Sequence, residues 1–75
     1  MQLVKFTLKP GEEIGEIKNP YTSQCIRIEN GLCKAIVETK RYYLKGGDDI
    51  VIPSDVTYNI INAGESFLEI KFGSR

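Results

Sequence analysis

The segment Gly47-Asp48-Asp49-Ile50-Val51-Ile52-Pro53-Ser54-Asp55-Val56-Thr57-Tyr58-Asn59-Ile60-Ile61-Asn62 holds two short apolar runs split by a proline and polar residues. Asp49 to Ile52 reads as a strand that stops at Pro53, which cannot donate to a ladder. Tyr58 to Asn62 reads as a second strand, and Ala63-Gly64-Glu65-Ser66 as the turn after it. A further strand follows at Phe67 to Phe72, with Leu68, Ile70 and Phe72 on one face.

Upstream the same rhythm continues. Lys45-Gly46-Gly47-Asp48 turns the chain out of an extended Tyr42-Tyr43-Leu44, which is entered through Thr39-Lys40-Arg41. Asn30-Gly31 lies between two apolar runs and supplies the positive φ angles of a type I′ turn, so it predicts a two-residue hairpin. That register pairs Glu29 with Leu32, Ile28 with Cys33, Arg27 with Lys34 and Cys25 with Ile36. Gln24, Ile26, Ile28, Cys33, Ala35 and Val37 then share one face, and Cys25, Arg27, Glu29, Lys34 and Glu38 the other. The two sulfurs point apart and cannot bridge. Nearer the start, Val4, Phe6 and Leu8 alternate with Lys5, Thr7 and Lys9, the pattern of a half-buried strand that ends at the turn Pro10-Gly11. A short extended piece around Ile14 to Ile17 precedes the loop Asn19-Pro20-Tyr21-Thr22-Ser23. Many short strands with no helical period predict an all-β fold, a small antiparallel sandwich or barrel.

The chain has 75 residues, which reads as one domain over residues 1–75. A domain this short buries only about 60–65% of its unfolded surface. Self-association is the expected remedy, because two cysteines on opposite faces provide no disulfide framework. Ten basic and ten acidic residues cancel and are scattered. There is no basic stripe of the kind that displaces counterions from phosphates, so no nucleic-acid partner is expected. No apolar stretch approaches the roughly 20 residues of a membrane helix, and Met1-Gln2-Leu3-Val4-Lys5 lacks the features of a leader. The expectation is a cytoplasmic homodimer with no membrane partner.

A longer-range spacing overlies these strands. Gly11 is followed by Ile17, Lys18, Asn19, Gln24 and Gly31, and Gly47 by Pro53, Tyr58 and Asn62. This double frame resembles the two motifs of the cupin superfamily, small antiparallel β-barrels of jelly-roll type. The resemblance covers roughly residues 8 to 72 and implies that fold here. It also implies four positions where cupins usually place three histidines and a glutamate around a metal. Those positions read Ile17, Asn19, Gln24 and Tyr58, and the chain contains no histidine. A hydrocarbon, two neutral amides and a protonated phenol are a poor set for a transition metal, so no metal and no cofactor are expected.

What remains is a barrel mouth lined by Asn19, Gln24 and Tyr58, with Ile17 and Ile26 as apolar neighbours. Either these polar groups satisfy one another in a filled interior, or they read the edges of a small polar ligand above an apolar floor. The first function weighed is a metal-free small-molecule binding or sensing module, with these five residues as contacts and no catalytic residue. The second is a structural or protein-interaction accessory with a closed barrel. The third is a metal-independent isomerase or lyase using Tyr58 as proton donor, for which no histidine base exists. Asn62 is expected to cap the turn at Ala63-Gly64.

Overall fold

In the computed structural model, which describes residues 3–74, the chain forms seven strands. They are β1 (Leu3–Leu8), β2 (Gln24–Asn30), β3 (Leu32–Val37), β4 (Lys40–Lys45), β5 (Asp49–Ile52), β6 (Tyr58–Asn62) and β7 (Leu68–Ser74). All pairings are antiparallel and fall into two facing sheets, ordered β1-β7-β2-β5 and β4-β3-β6. The arrangement is a jelly roll whose two sheets are not closed into one continuous barrel. The strands read from the sequence at Asp49–Ile52 and Tyr58–Asn62 form with those bounds.

The extended piece before β2 lies along the outer edge of β6. Ile17 and Tyr58 exchange both backbone hydrogen bonds, each at 2.9 Å, and Ile14 N–H donates to the Ile60 carbonyl at 3.0 Å. Asn59 fastens the same piece from the side: its Oδ1 accepts from Gly15 N–H at 3.0 Å and its Nδ2 donates to Glu13 Oε1 at 3.3 Å.

The hairpin expected at Asn30-Gly31 does not form. β2 is paired with β7 on one side and β5 on the other, whereas β3 lies between β4 and β6 in the opposite sheet. The chain therefore crosses between sheets at Asn30-Gly31, and Glu29 does not pair with Leu32. The positive φ that suggests a type I′ turn is real, at 102° in Gly31, but it serves a corner. A Cβ at Gly31 would stand 2.8 Å from the Phe67 carbonyl oxygen and 3.1 Å from the Leu68 Cα. Glycine is needed here for close approach of two backbones as well as for φ. The Gly46-Gly47 turn braces the same corner, with Gly47 N–H donating to the Ile28 carbonyl at 2.7 Å and Ile28 N–H to the Asp48 carbonyl at 2.9 Å.

The faces read from alternation survive this change of partner. Ile26, Ile28, Cys33 and Ala35 are buried and meet Ile52, Tyr58, Ile60, Leu68 and Ile70 in the core. Each full burial of such an aliphatic side chain contributes about 1.5–3 kcal/mol. Outside the four-stranded sheet, Lys5–Glu69, Lys71–Glu29 and Arg27–Asp49 form ion pairs at 3.1, 2.8 and 3.7 Å. The Lys71 hydrogen bond holds the Glu29 carboxyl below its usual range, and Lys5 does the same for Glu69. Exposed pairs of this kind contribute little to stability.

Both cysteines are free; Cys33 is buried and Cys25 is partly exposed on the opposite face. Burial pushes the Cys33 thiol up to about 11. Because the thiolate is the nucleophile, iodoacetamide at pH 8 is expected to label Cys25 in the native protein and both residues only after unfolding. Mass spectrometry of the native adduct checks this, and prompt native labelling of Cys33 would contradict the packing described.

Candidate functional site

The two sheets splay apart beside β1, and a cavity of about 260 Å³ opens there. One wall comes from the four-stranded sheet, through Val4 and Phe6 of β1, Gln24 of β2 and Phe72 of β7. The other comes from Ile14, Ile17 and Tyr58, on the β6 side. Register explains the convergence. Val4 lies opposite Phe72 and Phe6 opposite the buried Ile70, so Val4 and Phe6 face inward as the alternation predicts. The three-stranded sheet does not extend over them, however, and they remain 53% and 44% exposed. Phe6 packs edge-on against Phe72 with ring centroids 5.2 Å apart.

Of the five residues read as contacts, three line this cavity: Ile17, Gln24 and Tyr58. Ile26 is fully buried in the core beneath. Asn19 is committed to its own loop, where its Oδ1 accepts from Tyr21 N–H at 3.0 Å and Thr22 N–H at 3.2 Å. The expected pairing of Asn19 with Gln24 is absent. Instead Gln24 Nε2 donates to Ser74 Oγ at 3.3 Å, across the β2–β7 ladder. Val4, Phe6, Ile14 and Phe72 were not singled out as contacts, although the period-two alternation already set Val4, Phe6 and Phe72 on inward faces.

Tyr58 is the unusual member. It is 3% exposed, and among the described residues no group hydrogen-bonds its hydroxyl. No sealed side-chain oxygen or nitrogen lacks a partner among these residues, so this hydroxyl reaches accessible space. Burial pushes its phenol above the usual range, which keeps it a neutral hydrogen-bond donor.

These positions do not fit a divalent cation. Ile17 has no lone pair, the Asn19 oxygen is spent on two backbone N–H groups, and Tyr58 resists ionisation. Among the described residues no group of three or more Cys, Asp or Glu side chains gathers elsewhere. A larger cleft of about 550 Å³ opens on the other side of the sandwich, between β4 and β5, over Val37, Tyr42, Leu44, Ile50 and Val56. It contains none of the five residues.

The family model for the cupin domain matches residues 4–70. The chain belongs to the cupin family. Among solved structures, this cupin is similar to a predicted oxalate decarboxylase from Thermotoga maritima, with 24% identity and a TM-score of 0.89 over 93% of this chain and 61% of that one. It is also similar to CENP-C of Drosophila melanogaster bound to CAL1, with 19% identity and a TM-score of 0.85 over 97% of this chain and 63% of that one. A de novo designed double-stranded β-helix matches end to end, 100% of each chain, at 21% identity and a TM-score of 0.83. This cupin thus spans about six tenths of the length of the two natural proteins. No curated protein sequence matches it. At these identities the likeness carries the fold, and the residues of the cavity must carry the rest.

Proposed function

We propose that this cupin is a metal-free small-molecule binding module that acts as a homodimer in the cytoplasm. The observation that carries the reading is the Tyr58 hydroxyl, held on a buried ring and left without a partner among the described residues, beside an apolar cavity. A ligand hydroxyl or carbonyl that displaces water from this group exchanges one hydrogen bond for another in a less polar setting, a net gain of about 0.5–1.5 kcal/mol. The apolar walls with one phenol and one amide revise the expected small polar ligand to a compact, mainly apolar one with a single hydrogen-bonding group. An apolar cavity of about 150 Å³ suffices for benzene, so a substituted single ring fits the larger space here.

Among the described residues no carboxylate lines this cavity; Glu16 and Glu38 border a separate pocket that Tyr58 also touches, so a ligand in the apolar cavity meets the phenol without a base, and this favours binding over isomerase or lyase chemistry. The fold also serves in CENP-C bound to CAL1, and a protein-interaction role is the reading that stands if no small molecule binds.

Phenol, p-cresol and indole are suitable probes. One of them is expected to raise the melting temperature, because a ligand selective for the native state stabilises it. Tyr58→Phe, which removes only the hydroxyl, is expected to weaken binding about tenfold, the equivalent of one lost hydrogen bond. Calorimetric titration reads this. Equal affinity of Tyr58→Phe and the parent protein would end the proposal.

A further inference from the structure

The absence of a basic stripe in the sequence argues against a nucleic-acid partner, yet strand pairing gathers what the chain scatters. On the three-stranded sheet, the buried Cys33 and Ala35 face the core, so Leu32, Lys34 and Ile36 of β3 face outward. Register places Lys45 beside Leu32, Tyr43 beside Lys34 and Arg41 beside Ile36. Ile61 and Asn59 of β6 continue the rows on the other side of Lys34 and Ile36. Three cations therefore surround Tyr43, which is 70% exposed, and no carboxylate occupies these outward positions. Acidic groups stand at the margins. Asp48 Oδ2 accepts from Lys45 N–H at 2.9 Å at one end, and Glu16 and Glu38 border a hollow beside Ile36 and Asn59 at the other.

The four-stranded sheet also carries cations on its outer face, but there each is neutralised: Lys5 by Glu69, Lys71 by Glu29 and Arg27 by Asp49. Among the described residues no ion pair engages Lys34, Arg41 or Lys45. The Tyr43 ring is likewise unstacked, the one ring pair among the described residues being Phe6 with Phe72. Basic residues on β4 do blunt a free strand edge. That role explains neither a cation on the central strand β3 nor an exposed ring between the charges.

We propose that this outer face binds single-stranded nucleic acid, with an unpaired base stacked on Tyr43 and phosphates held by Lys34, Arg41 and Lys45. Alternate residues of a strand lie about 6.8 Å apart, so Arg41, Tyr43 and Lys45 span about 14 Å of β4, a footprint of a few nucleotides. A base offers a flat π surface to the ring while its phosphates meet the neighbouring cations, the combination that single-strand binders use. An acidic peptide would satisfy the cations and leave the ring idle. The amide on this face is not free to read base edges: Asn59 Oδ1 accepts from Gly15 N–H and its Nδ2 donates to Glu13. Binding is therefore tolerant of sequence. The face lies outside the sandwich, separate from the cavity beside β1, so binding there does not depend on a ligand in the cavity.

Fluorescence anisotropy of a labelled oligothymidylate of about eight nucleotides, titrated with the full chain, tests this. Three phosphate contacts predict a slope of about −2 in log affinity against log salt, a fall of about twentyfold between about 50 and 200 mM. Lys34→Gln and Arg41→Gln are each expected to reduce that fall to about sevenfold. Tyr43→Ala is expected to weaken binding at least about fivefold with the slope unchanged, whereas Tyr43→Phe keeps the ring and the affinity. Lys71→Gln, on the opposite face, is expected to change affinity less than about twofold. These side chains are exposed or half-buried, and unchanged circular dichroism would show that the fold survives. No binding at the lower salt, parental affinity in Tyr43→Ala, or equal affinity for a duplex would overturn the proposal. So would a loss in Lys71→Gln as large as in Lys34→Gln. Equal affinity for an oligoglutamate would mark the face as an acidic-peptide surface and overturn it as well.

Discussion

Gly31→Ala is expected to cost about 2–5 kcal/mol, enough to unfold much of the population of a domain this small. Two terms add. An alanine at a positive φ of 102° is strained by about 1–2 kcal/mol. Its methyl would also stand 2.8 Å from the Phe67 carbonyl oxygen, and forcing extra volume into a packed site costs a further 1–3 kcal/mol or so. The obstructing atoms belong to the backbone where β7 begins, so they cannot turn aside as a side chain would. At roughly 0.05–0.15 kcal/mol per residue, a chain of this length has about 4–11 kcal/mol of stability in total. Gly47→Ala is the control: its φ is 98°, but nothing lies within 4 Å of the added carbon. That variant should show the strain term alone. Urea denaturation of both variants separates the contributions, and equal midpoints would contradict the close approach at the corner.

Asn62→Ala is expected to lower the melting temperature by roughly 10–25 °C, from a loss of about 2–4 kcal/mol in a domain of this size. Asn62 is 3% exposed, and its amide joins the end of β1 to the turn after β6. Nδ2 donates to the Leu8 carbonyl at 3.0 Å and the Ser66 carbonyl at 2.8 Å, while Oδ1 accepts from Gly64 N–H at 2.9 Å. Alanine would leave two carbonyls and an N–H without partners in a part-buried place. Asn62→Asp should be comparably harmful, because it keeps the acceptor but turns a carboxylate toward two carbonyl oxygens. Differential scanning calorimetry measures both, and a change under 3 °C for either, well below the roughly 4–8 °C per kcal/mol of small domains, would refute this role.

The capping role of Asn62 was legible because an Asn followed by Ala-Gly announces a local turn, a matter of bonds two residues away. The bonds from its amide nitrogen, to Leu8 and Ser66, were not legible; Leu8 is 54 positions distant. Asn30-Gly31 failed for the same reason in reverse. A positive φ after an apolar strand suits both a hairpin and a corner, and only the ladders that β7 and β5 form on both sides of β2 exclude the hairpin. In the cavity, Ile17, Gln24 and Tyr58 were found through a motif spacing that tracks β-strand geometry. Asn19 lies outside the cavity lining, because a short side chain in a loop bonds its own backbone first.

By its sequence alone, then, this protein settles which residues face inward, where strands stop and turn, and that its motif positions lack metal-binding donors. Those properties follow from period-two alternation, from proline and glycine, and from side-chain chemistry, all of which act within a few residues. Tertiary structure alone decides which strands are neighbours, that the sheets splay apart beside β1, and that the Tyr58 hydroxyl has no partner among the described residues. These depend on backbone ladders between distant segments, and a strand's inward face is the same whichever neighbour it bonds.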